Sequence, residues 1–151
     1  MKTLNRLLII LLLQIFSNEC FADKFYWVGG TGNWEDLNHW SKTSGGIPNV
    51  LQTPNDLYDS VYFDANSFTA PGQVVTSTDI MNGASLMDFT GVQFNPTITG
   101  SGLWAYQHLI FSPALNWDIG LWLDMGYSGS IKTNGLALGH IVAMYGCREV
   151  I

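Results

Sequence analysis

The sequence predicts an all-β chain, wound as a right-handed parallel β-helix with an N-terminal cap and a few coils. Three observations carry this reading. Apolar residues come in short runs cut by Gly, Asn, Asp, Pro or Ser, and no stretch of helical period lasts a dozen residues. Strand-like runs recur, and three open alike, at Gly102-Leu103-Trp104, Gly120-Leu121-Trp122 and Gly135-Leu136-Ala137, with offsets of 18 and 15 residues. Repeats of that size suggest coils whose apolar faces stack on one another. Finally, 16 glycines and a charged fraction of only 12% suit tight turns around a continuous core. An antiparallel β-sandwich also shows short, evenly spaced strands and is the alternative.

Residues 1–22 stand apart from the fold. Lys2 and Arg6 precede the apolar run Leu7–Leu13, which Ile15 and Phe16 extend, and a polar, small-residue exit ends at Ala22. This is the pattern of a secretory signal peptide, with cleavage expected after Ala22. The apolar run is short of the roughly 20 residues a membrane-spanning helix needs, and no later stretch is apolar enough to span a bilayer. The mature chain, Asp23 to Ile151, suffices for one modest domain. It is expected outside the cell or on its surface.

Residues 23–72 read as the N-terminal cap and a loop-rich region, with strands at Phe25–Val28 and Asp59–Asp64. In the second, Val61 and Phe63 share one face and Tyr62 and Asp64 the other. Ser41–Leu57, rich in turn formers such as Gly45-Gly46 and Pro48-Asn49, reads as an excursion over the surface. Residues 73–151 read as rungs, with strands at Val74–Thr76, Leu86–Phe89, Thr97–Thr99, Leu103–Phe111, Leu115–Asp118, Leu121–Met125, Ser130–Thr133 and Leu136–Met144. Residues 139–146 still look like core strand, so further coils of a longer chain, or an oligomer, are expected to cover the open end.

Charge narrows the partners. Without the leader, Lys24, Lys42, Lys132 and Arg148 face eleven acids, a net formal charge of −7. Nucleic acid, whose binding rests on phosphate neutralisation, is excluded as a natural partner, and anionic lipid with it. Cys20 leaves with the signal peptide. Cys147 is then alone and reads as a buried structural thiol.

Several motifs invite chemistry and decline it. Gly29-Gly30-Thr31-Gly32 has neither the Lys-Ser/Thr of a phosphate loop nor the third Gly of a dinucleotide fingerprint, so its glycines read as turn formers. Gly126-Tyr127-Ser128-Gly129-Ser130 misses the last Gly of a nucleophile elbow and the helix that should follow. His39, His108 and His140 lack partners at metal-ligand spacing. The oxygen-rich segment Asn55 to Asn66 makes Asp56, Asp59 and Asp64 weak calcium candidates, though the spacing is not that of an EF-hand and turn chemistry explains the same letters. No other cofactor is expected. A β-helical polysaccharide hydrolase would need paired carboxylates, for which Asp118 and Asp124 are the candidates, on neighbouring strands. A lyase would need a cationic base, and Lys132 is the one basic residue between Lys42 and Arg148. Neither set is complete, and no enzyme is expected. Trp104, Tyr106 and Trp122, with Trp117 and Tyr127 beside them, could instead stack on sugar rings.

The stretch YWVGGTGNWEDLNHW, Tyr26 to Trp40, is distinctive. Trp27, Trp34 and Trp40 are spaced to fold back and pack together across its turns, and with Gly29, Gly30, Gly32 and His39 they read as a structural cap over the first coil. The stretch resembles the opening of modules in large exported repeat proteins of gliding, Bacteroidota-type bacteria. Ser41 to Pro48 and Asp59 to Phe68 continue the similarity, and Gly100 to Pro113 and Ile131 to Gly135 resemble that family's rungs. The resemblance implies a secreted or surface, adhesin-like module associated with type IX secretion, displaying loops to an extracellular glycan or surface protein. It does not extend to a sorting domain, so it leaves the secretion route open, and it transfers no catalytic residue. A carbohydrate-active β-helix enzyme, or its binding module, is the rival reading.

Overall fold

Alternation and register together build the molecule. The computed structural model describes residues 22–124, 129–136, 141–145 and 149–150, the last two ranges as backbone. Residues 1–21, with Cys20 among them, and Tyr127, Ser128, His140 and Cys147 lie outside the described residues. The strands are β1 (Lys24–Trp27), β2 (Gly32–Asn33), β3 (Trp40–Ser41), β4 (Ser60–Tyr62), β5 (Val74–Ser77), β6 (Gly83–Asp88), β7 (Thr97–Ile110), β8 (Asn116–Asp124), β9 (Ser130–Lys132), β10 (Ile141–Tyr145) and β11 (Glu149–Val150). A short 3-10 helix, Leu37–His39, precedes β3. Every pairing among them is parallel except that of β1 with β3. A sandwich is built of antiparallel pairs, so the chain is a β-solenoid, of about three turns.

Three stacks of strands form its walls. In the first, β1, β4, the end of β6, the end of β7, β9 and β11 lie in order. Phe25, Val61, Met87, Leu109 and Ile131 fall in register there, each with 0% exposure. The second wall sets the start of β6 beside the middle of β7, the end of β8 and β10, with Ala84, Ala105 and Leu123 turned inward. The third runs β2, β5, the start of β7 and the start of β8, and aligns Val75, Ile98 and Trp117 on the core. Because side chains alternate, the neighbours of each inward residue stand outside. Where the first wall turns into the third, Trp27, Phe63, Phe89 and Phe111 form an interior aromatic ladder, with ring centroids 5.7, 4.7 and 6.1 Å apart.

Glycine bends these strands without ending them. The runs predicted separately at Thr97–Thr99 and Leu103–Phe111 are one strand, β7, and those at Leu115–Asp118 and Leu121–Met125 are likewise joined in β8. Gly100 lies at φ 126°, and a Cβ there would sit 1.9 Å from the Ser77 carbonyl oxygen, so only Gly can take that corner. The repeat read from Gly102 and Gly120 holds, since Leu103 pairs with Leu121 and Trp104 with Trp122. Gly135 does not continue it. Leu121 pairs instead with Ile141, and Asn134 and Gly135, at φ 48° and 86°, form the turn after β9.

Candidate functional site

The cap residues come together. Trp27, Trp34 and Trp40 are all fully buried and meet at ring distances of 5.0 Å (Trp27 to Trp40) and 4.9 Å (Trp34 to Trp40), each pair edge-on. Buried indole N–H groups need acceptors. Trp27 donates to the Gly30 carbonyl at 2.8 Å, Trp34 to Pro54 at 2.9 Å and Trp40 to Trp34 at 2.7 Å. The Pro54 bond and the buried Val50 tie down the long excursion, which is therefore more than a surface loop. His39 stacks on Trp27 at 4.7 Å, and its Nδ1 lies 2.8 Å from the Val28 carbonyl. β3 pairs antiparallel with β1 and ends the first wall on that side.

The three glycines of this cap have different reasons to be glycine. Gly29 and Gly30 hold φ of 86° and 78°, as expected of turns. Gly32 does not. Its place is dictated by the His39 ring, since a Cβ there would lie 2.1 Å from Nε2.

Carboxylates here serve the backbone. Glu35 reaches from the cap to the next coil and accepts from the Thr78 and Asp79 amides and from Asn82 Nδ2, at 2.7, 3.0 and 2.6 Å. Burial pushes its carboxyl up, but its own backbone amide together with these bonds outweighs burial and holds the group below its ordinary value. Asp36 caps the 3-10 helix through the Asn38 amide. The calcium candidates are used likewise: Asp56 accepts from Tyr58, Asp64 from Asn66, and Asp59 from the Asn55 and Asp56 amides, both at 3.3 Å. Asp59 is 3% exposed, and burial pushes its carboxyl up. Among the described residues no three His, Cys, Asp or Glu gather as a metal group would require. Asp118 and Asp124 lie on one strand, β8, not on neighbouring ones. The bend at Gly120 places them on different walls, Asp118 across from Thr99 and Asp124 across from Tyr145. A cavity of about 320 Å³ beside Asp23, Lys42, Asn49, Leu51 and Gln52 has its cation already engaged, since Lys42 sits 2.9 Å from Asp23 and 3.9 Å over the Phe25 ring.

The stacking candidates form the most coherent outer feature. Trp104, Tyr106 and Trp122 are half-buried and project from the second wall. Trp104 and Trp122 are register partners on adjacent strands, with centroids 5.5 Å apart and planes within 18°. Tyr106 lies 6.1 Å from Trp104 at 15°. Those separations are offset stacking, in which rings slide past one another and leave part of each face uncovered. On the other side of Trp104 the register partner is Gly83, which adds no side chain to the row. Trp122 covers Gly102, where a Cβ would lie 3.1 Å from the indole nitrogen. Burial, with Asp124 and Asp56 nearby, pushes the Tyr106 hydroxyl above its ordinary value. Trp117, by contrast, packs on the core, edge-on to Phe111 at 4.9 Å.

Sequence reading missed a second outer pair. Tyr26 and Tyr62 stack at 5.0 Å on the first wall. The parallel between Phe25-Tyr26-Trp27 and Val61-Tyr62-Phe63 would have revealed it, because one register aligns both segments. No family model, curated protein or solved structure matches this chain. Among the described residues, no helix is long and apolar enough to cross a membrane.

Proposed function

We propose that this is an exported, surface-associated or secreted, adhesin-like module that binds an extracellular glycan on the outer face of its second wall. The observation that carries the reading is the near-parallel group of Trp104, Tyr106 and Trp122, held half-buried on the outside of a solenoid whose other large aromatics are mostly core. Sugar rings offer apolar C–H faces to such surfaces and polar edges to the groups around them. A parallel stack resists deformation, so the rings are set before a ligand arrives and little ordering entropy is lost on binding. The signal-like leader, the acidic mature chain and the resemblance of Tyr26–Trp40 to exported bacterial repeat modules support the compartment and the adhesin-like role.

A glycan array probed with the exported chain tests this. Trp104→Ala and Trp122→Ala should each weaken the best glycan about tenfold, the scale of one lost aromatic contact, while far-ultraviolet circular dichroism stays unchanged. Folded variants that bind as the parent does would sink the reading, as would a parent that hydrolyses a polysaccharide on that face.

A further inference from the structure

The second wall carries a charge pattern as well as aromatics. The β7–β8 register pairs Trp104 with Trp122 and Ala105 with Leu123, and continued by one residue it sets Tyr106 against Asp124. The outer surface there is a two-by-two array, with Trp104 and Trp122 in one row and Tyr106 and Asp124 in the other. Asp124 is exposed, at the edge of the aromatic patch. The described strand segments of this wall, Gly83–Ser85, Leu103–Tyr106, Leu121–Asp124 and β10, include no Lys or Arg.

These placements set the chemistry of an occupant. A uronate or sulfated sugar laid on the rings would bring its anion toward Asp124, and the described strand segments of this wall offer it no Lys or Arg. A sugar carrying a protonated amine would set opposite charges together at the edge of the rings. An N-acetylated sugar keeps the stacking face but loses the charge.

We propose that the Trp104–Trp122 face selects glycans with free amino groups, of the glucosamine type, over their N-acetylated and anionic counterparts, with Asp124 as the residue that sets the preference. This rests on the glycan-binding reading of the same face, and the test separates the two.

Deacetylated glucosamine oligomers, N-acetylglucosamine oligomers of equal length and oligogalacturonate would be titrated against the exported chain, at a pH where the glucosamine amines are protonated. The expected order is deacetylated tightest, acetylated weaker and galacturonate without measurable binding. Asp124→Asn should cut affinity for the deacetylated oligomer about fivefold, the upper range for an exposed pair, and leave the acetylated oligomer unchanged. Asp118→Asn removes the same charge from the same strand on a different wall and should leave both unchanged. Equal losses in the two variants would mean attraction by net charge alone and would overturn the proposal. Acetylated oligomers that bind the parent as tightly as deacetylated ones would overturn it too, leaving the stacking face intact. If Trp122→Ala binds every oligomer as the parent does, the glycan-binding reading itself falls.

Discussion

The tryptophans at the two ends of the described chain meet different fates. Those of the cap, Trp27, Trp34 and Trp40, are fully buried, and each indole N–H has a backbone acceptor. Those of the second wall, Trp104 and Trp122, stand half outside and stack on each other. The cap is a singular knot, in which each aromatic touches several others and closes a particular turn. The coils are a repeated layer, in which each inward residue meets its counterpart one turn away. A ring in the knot is committed to stability, whereas one on the outside of the layer can be spared for a ligand. The same residue type therefore reports structure in one place and marks a candidate surface in the other.

The sharpest way to break this contrast is Trp34→Ala. It empties an indole-sized space beside Trp40 and Phe63 and leaves the Pro54 carbonyl without its donor. Large-to-small core changes of this kind cost about 3–5 kcal/mol, a large part of the margin of a small domain. Thermal and denaturant unfolding should show a heavy loss of stability, and the proposed glycan binding should be unchanged in whatever fraction remains folded. A variant that keeps its melting temperature but loses a ligand would place the binding site in the cap.

Gly32→Ala is a gentler probe of the same knot. The new methyl must displace the His39 ring, at about 1–3 kcal/mol for overpacking. His39→Ala alone loses the stack on Trp27 and the bond to Val28. Made together, the two changes should cost less than their sum, because the second removes what the first collides with. Strict additivity in a double-mutant cycle would show that Gly32 is required for some reason other than the histidine.

Much of this arrangement was legible in the residues, and what was hidden has physical causes. Alternation placed Val61 and Phe63 inside and Tyr62 outside, as the structure has them. The cap was legible because three tryptophans within fourteen residues can hardly all face water. Glycine is the ambiguous letter. It ends a strand, bends one or makes room for a ring with the same letter, so the breaks predicted in β7 and β8 are bends, and Gly135 was aligned with Gly120 when it belongs to a turn. The stacking group was found by residue type, but Trp117 was included with it. Inside and outside differ by one residue of register, and register depends on strands many residues apart. Asp124 beside Tyr106 was hidden for the same reason.

Asp59 extends the comparison to the junction of cap and coil, where the expected effect is smallest and its sign most informative. Glu35 and Asp59 both take backbone amides, yet their carboxyls are shifted in opposite directions. For Glu35 the folded value lies below the unfolded one, so its contribution is present above the unfolded value and is lost as pH falls through the folded one. For Asp59 burial raises the folded value, so the ionised form opposes folding at neutral pH, and the opposition is relieved as pH falls from the raised value toward the unfolded one. Asp59→Asn keeps an oxygen that can accept from Asn55 and Asp56 and removes the buried charge. It should leave stability equal or higher at neutral pH, by about 1 kcal/mol or less, and flatten that part of the pH–stability curve. Glu35→Gln should do the reverse, lowering neutral-pH stability while narrowing the loss in acid. Urea midpoints measured across acidic to neutral pH for the parent and both variants decide it. A fall in neutral-pH stability for Asp59→Asn would mean that the ionised carboxylate is needed at this turn, and that its two long amide bonds outweigh the burial of its charge.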